Sequence, residues 1–165
     1  MSAPGIYIRP AKETDLPGVV ALERSIAEAP HWPEKEYSAM IDQGQGTGNL
    51  IKRCLLIAEA EGPLLGFGVG KMIGIAYERI AELESIVVEK DVRRRGVGKA
   101  LCAAVAAWSR QQSAPGLELE VRMGNEAAIA LYTSLGFEVT GRRRAYYQQP
   151  TEDALLMRLN LKKGF

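Results

Sequence analysis

Scarcity sets the first limits on this chain. Its 165 residues include one histidine, His31, and two cysteines, Cys54 and Cys102. The cysteines stand far apart and in no metal-ligand spacing, so both are expected as reduced, buried thiols. His31 lies in "APHWPEKEY", between two prolines, and is expected to shape a bend rather than to ligate a metal. Neither sign of charge is in excess. The formal net charge is +1, so no global field draws the chain to nucleic acid or membrane, and any positive patch is local. No run approaches the roughly 18 apolar residues of a membrane span. The opening "MSAPGIYIRP" has neither the basic leader nor the apolar core of a signal peptide, so a cytoplasmic protein is expected. Internal repeats, low-complexity tracts and dividing linkers are also missing, which leaves one domain over residues 1–165. What is present suits that expectation: 47% hydrophobic and 25% charged residues make the ordinary globular balance, in a chain long enough to bury its own core.

The periodicity switches repeatedly between sheet and helix. Residues 6–9 alternate as an opening strand. Thr14 or Asp15 starts a helix carrying Leu16, Val19, Val20 and Leu22, with Pro17 tolerated in its first turn. A bend and a second short helix follow in "APHWPEKEYSAMI", then a glycine-rich loop, "DQGQGTGN", expected to move most. Strand-like runs occupy 54–59, 64–73 and 80–88, the first two joined by a tight hairpin at "EGP". Residues 98–111 read as a helix with an apolar stripe of Leu101, Ala104, Val105 and Trp108. "LELEVR" alternates as a strand; Asn125 caps a short helix ending at Leu135, with Gly136 behind it. "FEVT" and "DALLMRLNL" finish as strands, the second placing Leu155, Met157, Leu159 and Leu161 on one face. The order β-α-α-β-β-β-α-β-α-β-β describes an α/β (α+β) chain, a mixed sheet with helices on its faces.

One turn carries a chemical signal. In "VEKDVRRRGVGKALCAAVAAW", three arginines meet a Gly-x-Gly between a strand and a helix. A Walker A loop fails here, because Arg93 stands at its first glycine and Ala100 follows Lys99. A dinucleotide fingerprint fails too, because Leu101 replaces its third glycine. What remains is R-x-x-G-x-G. A helix N-terminus offers unpaired N–H groups and the positive end of its dipole. Gly96 and Gly98 allow phosphate oxygens close to the backbone, and Arg93, Arg94, Arg95 and Lys99 supply counter-charge. The arrangement reads as a pyrophosphate cradle; the bland alternative is a solvated, charged turn.

"ESIVVEKDVRRRGVGKAL" resembles the signature of the GCN5-related N-acetyltransferase (GNAT) superfamily, whose acetyl-CoA site carries Q/R-x-x-G-x-G/A. "LELEVRMGNEAAIALYTSLGF" is similar to the second half of that family, close to its RimI type. "RRRAYYQQPTEDALLMRL" resembles the Y-Y and E-D-A-x-x-M ending of RimI-type and related protein Nα-acetyltransferases, and "HWPEKEY" their early Pro/Trp stretch. The resemblance covers nearly the whole chain. It implies a GNAT fold, a mixed central sheet of about seven strands with helices on both faces, whose fourth and fifth strands splay. It implies acetyl transfer from acetyl-CoA to a primary amine: the α-amino group of a protein N-terminus, as in the ribosomal-protein-alanine type, or alternatively a lysine side chain or small-molecule amine. Backbone groups of Ile86, Val87 and Val88 would pair with the pantetheine arm of coenzyme A. The stretch Arg93, Arg94, Arg95, Gly96, Val97, Gly98 and Lys99 would hold the pyrophosphate. Asn125 and Tyr132 would contact the cofactor near the thioester, and Tyr146 and Tyr147 would clamp the acceptor.

The chemistry asks little of the enzyme if the acceptor is an α-amine. Near neutral pH roughly a quarter of α-amines are unprotonated and ready to attack, against about a thousandth of lysine side chains. A carboxylate, direct or through water, suffices as base. Glu118, Glu120 and Arg122 share a face of "LELEVR", and Glu120 matches the family's general base. Tyr132 matches its general acid, a phenol able to protonate the leaving thiolate of coenzyme A. Glu82 and Glu84 lie on the strand where other members keep their base, and Glu84 departs from the RimI pattern, which has an apolar or aromatic residue nearby. That leaves open a shared proton relay, a changed acceptor pocket, or exposed positions. Gly44, Gly46 and Gly48 loosen the segment after the second helix relative to the RimI type. Two rivals stand outside the enzyme reading: a nucleic-acid module using the arginine runs at 93–95 and 142–144, and a cofactor-binding regulator without turnover.

Overall fold

The computed structural model describes residues 5–41, 50–74 and 78–162; the glycine-rich loop expected at 42–49 lies outside them. Among the described residues the strands and α-helices follow the order read from the sequence. They are β1 (Tyr7–Pro10), α1 (Leu16–Ser25), α2 (Glu34–Met40), β2 (Ile51–Glu59), β3 (Leu64–Ile73) and β4 (Ile80–Val88). After these come α3 (Val97–Gln111), β5 (Gly116–Arg122), α4 (Glu126–Ser134), β6 (Glu138–Tyr147) and β7 (Glu152–Asn160). The seven strands form one sheet in the order β1-β2-β3-β4-β5-β7-β6. Every pairing is antiparallel except β4–β5. That parallel pair holds only at Ala81↔Leu117 and Glu82↔Glu118, so the two strands part beyond their first rungs.

The sheet is buried from both sides, which is why β2 is apolar without a break from Cys54 to Ala58. Its alternate residues feed two cores. Leu55 and Ile57 join Val19, Leu22, Tyr37, Phe67 and Val69 under α1 and α2. Cys54 and Leu56 join Leu101, Val105, Leu117 and Met157 under α3. A fully buried leucine such as Leu101 contributes roughly 1.5–3 kcal/mol. The α3 stripe lands on Gly68 and Gly70 of β3; a Cβ on Gly70 would come within 2.8 Å of Val105. Burial pushes the Cys54 and Cys102 thiols up to about 12, so both remain protonated.

Three details at element ends differ from the sequence reading, each for a tertiary reason. Asp15 holds the N-cap position of α1, but its carboxylate makes no cap hydrogen bond to that helix. A 3-10 turn at Glu13–Asp15 precedes the helix, and the Asp15 carboxylate accepts the Lys12 N–H at 2.7 Å and both terminal nitrogens of Arg9 at 2.8 Å. β2 starts at Ile51, three residues before its apolar run, because Gly74 N–H reaches Leu50 O and closes the ladder with β3. β6 continues through the arginine run to Tyr147, since the long β7 offers it partners as far as Glu152. The apolar face expected for Leu155, Met157, Leu159 and Leu161 is the one that packs into the α3 core.

Candidate functional site

The separation of β4 from β5 organises everything that follows. A bulge in the β3–β4 ladder moves the partner of β3 from Ser85 at Val69 to Leu83 at Gly70. The skipped residue is Glu84. Because of that extra residue Ala81 and Leu83, then Ile86 and Val88, all lie against the α3 core, while Val87 packs into the opposite one. From Leu83 onward the outer edge of β4 has no strand paired to it among the described residues. Its backbone hydrogen-bonding groups on that side need a partner.

On the α3 side of this gap stands the arginine–glycine turn. Arg94 and Gly96 adopt positive φ angles, 67° and 86°, and α3 starts at Val97, one residue earlier than its sequence pattern suggests. Gly96 is the N-cap and provides no side-chain cap, so the first N–H groups of the helix point outward unpaired. Val97 is buried, whereas the side chains of Arg93, Arg94, Arg95 and Lys99 are exposed. Arg93 donates from Nε to Val88 O at 3.4 Å, which ties the turn to the end of β4. A Cβ on Gly98 would meet Leu131 of α4 at 3.4 Å, Val88 at 3.8 Å and Ile86 at 3.9 Å. Ile86, Val88 and Gly98 thus stand close together, and a large side chain at Gly98 would crowd Leu131, Val88 and Ile86.

Tyr132 lies on α4, next to Leu131, and packs against the α3 core. Its ring packs on Phe137 at 5.6 Å between centroids. Burial pushes its phenol up, with Cys102 and Tyr147 adding to the effect, so it is a proton donor throughout the neutral range. Asn125 caps α4 as expected, its Oδ1 accepting the Ala128 N–H at 3.1 Å.

The opposite side of the gap is a pocket of about 360 Å³ lined by Glu82, Glu84, Glu118 and Glu120, with Arg143, Tyr146 and Tyr147 closing over it. Strand alternation presents these carboxylates together: Leu117, Leu119 and Val121 face the core, and Glu118 and Glu120 face away. Three of the four have cationic partners. Glu84 accepts from Arg53 Nε at 2.8 Å and stands 3.9 Å from Lys71. Glu118 accepts from Arg158 at 2.9 Å, and Glu120 Oε2 is 3.4 Å from Arg143 Nε. Glu82 has no ion pair among the described residues. Burial raises its carboxyl pKa; Lys71 opposes the rise, and Glu84, Glu120 and Glu118 reinforce it.

Glu120 differs from its neighbours in one respect. Its Oε2 is buried and meets no hydrogen-bond donor. A buried acceptor left unsatisfied is costly, and at a pocket wall it marks where a donor is meant to arrive. Tyr146 and Tyr147 stand edge to face at 5.1 Å, and Arg122 lies 4.3 Å over the Tyr147 ring. The Glu120 charge pushes the Tyr146 phenol up first, with burial and hydrogen bonding to Glu120 adding; for Tyr147 burial comes first and the Glu120 charge second.

The structure therefore brings Glu120, Tyr146 and Tyr147 into one pocket, and gathers Ile86, Val88, the 93–99 turn and Tyr132 on the other side of the gap. The side chain of Val87 is buried under α1, so only its backbone lies along the open edge of β4. Sequence reasoning missed Arg143 as a pocket residue. No local signal marked it, because "RRRAYY" has no alternation and becomes strand only through its pairing with β7. Two arginines of the second basic run carry carboxylate partners while staying exposed: Arg142 bonds Asp153 at 2.7 Å, and Arg143 faces Glu120.

Comparison with known proteins agrees with this arrangement. Residues 19–137 match the family described as the Acetyltransferase (GNAT) family. Over 154 residues the chain is 36% identical to the ribosomal protein bS18-alanine N-acetyltransferase of Escherichia coli K12, spanning 88% of this chain and 91% of that one. The crystal structure of the Escherichia coli ribosomal-protein-S18-alanine N-acetyltransferase superposes with a TM-score of 0.75 at 30% identity, covering 97% of this chain and 96% of the other. Arabidopsis thaliana NAA60 in complex with acetyl-CoA gives a TM-score of 0.78 at 20% identity, covering 94% of this chain and 99% of the other, a likeness of fold. Among the described residues no helix is long and apolar enough to cross a membrane.

Proposed function

From the premise that the chain belongs to the acetyltransferase (GNAT) family, and so is an N-acetyltransferase that uses acetyl-CoA, we propose that its acceptor is the α-amino group at a protein N-terminus. A ribosomal protein beginning with alanine is the first candidate, after the relative whose printed name carries that activity. The observation that carries the reading is the buried, donor-less Oε2 of Glu120, facing a pocket across the gap from the glycine turn. An ammonium group is a compact source of N–H donors that fits such an oxygen.

The residues take distinct parts. The unpaired amides at the start of α3, with Arg93, Arg94, Arg95 and Lys99 around them, suit the pyrophosphate of coenzyme A. The unpaired edge of β4 at Ile86, Val87 and Val88 suits an amide-bearing chain such as pantetheine. Acetyl-CoA supplies an acetyl group activated as a thioester. Glu120 takes a proton from the acceptor's ammonium, directly or through water, and the freed lone pair attacks the acetyl carbonyl. Tyr132, kept protonated by burial, gives a proton to the sulfur as the carbon–sulfur bond breaks, and the surplus proton on the acylated nitrogen restores Tyr132. Tyr146 and Tyr147 wall the acceptor's first residues, and Asn125, at the cap of α4, would contact acetyl-CoA near its thioester.

A thiol-release assay with three acceptors tests the reading. An alanine-starting peptide is expected to be acetylated well above an N-terminally blocked lysine peptide and a polyamine. The polyamine is included because four glutamates line the pocket. Turnover of the blocked lysine peptide or the polyamine alone would overturn the α-amine assignment while leaving the family membership intact.

A further inference from the structure

We propose that Arg143 is a specificity-determining residue: its guanidinium holds, in the free enzyme, the cation position beside Glu120 that the acceptor's ammonium must take. The inference deepens the reading of Glu120 as the group that receives the acceptor, and rests on it.

Four observations meet at this residue. Arg143 Nε is 3.4 Å from Glu120 Oε2, near enough for charge attraction, yet Oε2 has no hydrogen-bond donor. The arginine thus neutralises the carboxylate without satisfying it. Its side chain is 56% exposed, whereas that of Glu120 is 27% exposed, so the cation reaches in from solvent towards a fixed, half-buried anion. The guanidinium also lies 5.3 Å from the centroid of the Tyr146 ring, which gives it a second resting surface at the pocket mouth. And β6 is an edge strand whose ladder with β7 shifts register between Arg143 and Tyr147, so the backbone that bears this side chain is bounded by a β7 ladder on one side only.

The contrast with the neighbouring pairs is instructive. Arg53 and Arg158 donate to Glu84 and Glu118 at 2.8 and 2.9 Å, true hydrogen bonds, and the Arg158 guanidinium is seated against Gly116, where a Cβ would come within 2.3 Å of it. Those cations are built in. Arg143 is the loose one, and it covers the one carboxylate oxygen that the reaction needs. An exposed pair of this kind holds by a factor of about five at most. Displacement is therefore easy, and it makes the pocket select for an acceptor that brings its own positive charge and N–H donors. A neutral group of the same size leaves Glu120 with Arg143 and gains nothing by entering.

The test compares the parent with Arg143→Gln and Arg143→Lys, using whichever of the alanine-starting and blocked-lysine peptides the parent acetylates. Removing the resident cation is expected to lower the acceptor KM two- to fivefold, with kcat changing less than KM. Calorimetry of the alanine-starting peptide on protein saturated with coenzyme A should show the same tightening. Arg143→Lys, which restores a cation, should return KM towards the parent value. An unchanged or raised KM in Arg143→Gln, together with a lower kcat, would assign Arg143 to orienting Glu120 and overturn the proposal. Acetylation of the blocked lysine alone removes the α-amine reading without touching this one, because the KM comparison is then made on that peptide.

Discussion

The two sides of the β4–β5 gap are built on opposite principles. On the α3 side, recognition is offered by backbone: the unpaired N–H groups at the start of a helix, the open edge of a strand, and glycines that keep side chains away. On the other side recognition is offered by side chains, four glutamates and two tyrosines from three strands. The first design tolerates variation in everything except the glycines and the chain path. The second changes its preference with each substitution. A shared donor and a variable acceptor call for this division, since a backbone site keeps its ligand while a side-chain pocket is re-cut around it.

The sharpest way to break the comparison is to remove the proton-handling groups at the junction. Tyr132→Phe and Glu120→Gln should each lower kcat by roughly 10²- to 10⁴-fold, while calorimetric affinity for coenzyme A changes little. Parent-like rates for either variant at neutral pH would remove that residue from the chemistry. Next in size, Gly98→Trp should push a ring against Leu131, Val88 and Ile86 and weaken coenzyme A binding by at least tenfold, about 1.4 kcal/mol. Acceptor specificity among peptides should be unaffected at saturating donor. Unchanged affinity for coenzyme A would place the donor elsewhere.

The smallest effect concerns Glu82. Its folded pKa is raised by burial, with no ion pair among the described residues to offset it. A raised carboxyl pKa means that the folded chain holds this proton more tightly than the unfolded one. Ionised Glu82 therefore destabilises the fold above the ordinary carboxylate range, and the penalty disappears as pH falls below it. Glu82→Gln should raise Tm at pH 7 by up to about 3 °C and lose that gain near pH 4. A drop in Tm at pH 7 would mean that the carboxylate is held by favourable contacts instead. This measurement reads the glutamate pocket through stability, where Tyr132 and Gly98 read the other side of the gap through function.

Most of the element order was legible because each segment declares itself locally. The alternation of "LELEVR" places Leu117 and Leu119 inward and Glu118 and Glu120 outward, and the structure keeps that division. Of the α3 stripe, Leu101 and Val105 are buried and Ala104 and Trp108 half-buried, because the helix turns Cys102, Ala106 and Ser109 inward as well. Arg142 and Arg143 were harder. Three consecutive arginines carry no periodicity, and only their pairing with Leu155 and Ala154 of β7 makes them strand. The bulge at Glu84 was equally hidden, because an extra residue in a ladder is defined by the opposite strand, not by its own sequence.

By itself the sequence determined the donor side, since a strand, an arginine–glycine turn and a helix are consecutive and need no distant partner to form their array of N–H groups. It also determined which face each glutamate of β5 takes. Only the tertiary structure decided the ownership of the charges: which carboxylate received a hydrogen-bonded arginine, which a loose one, and which none. The reason is physical. A glutamate's neighbours across a sheet lie tens of residues away in sequence, so its electrostatic fate is set by strand order and register, and those exist only once the sheet has formed.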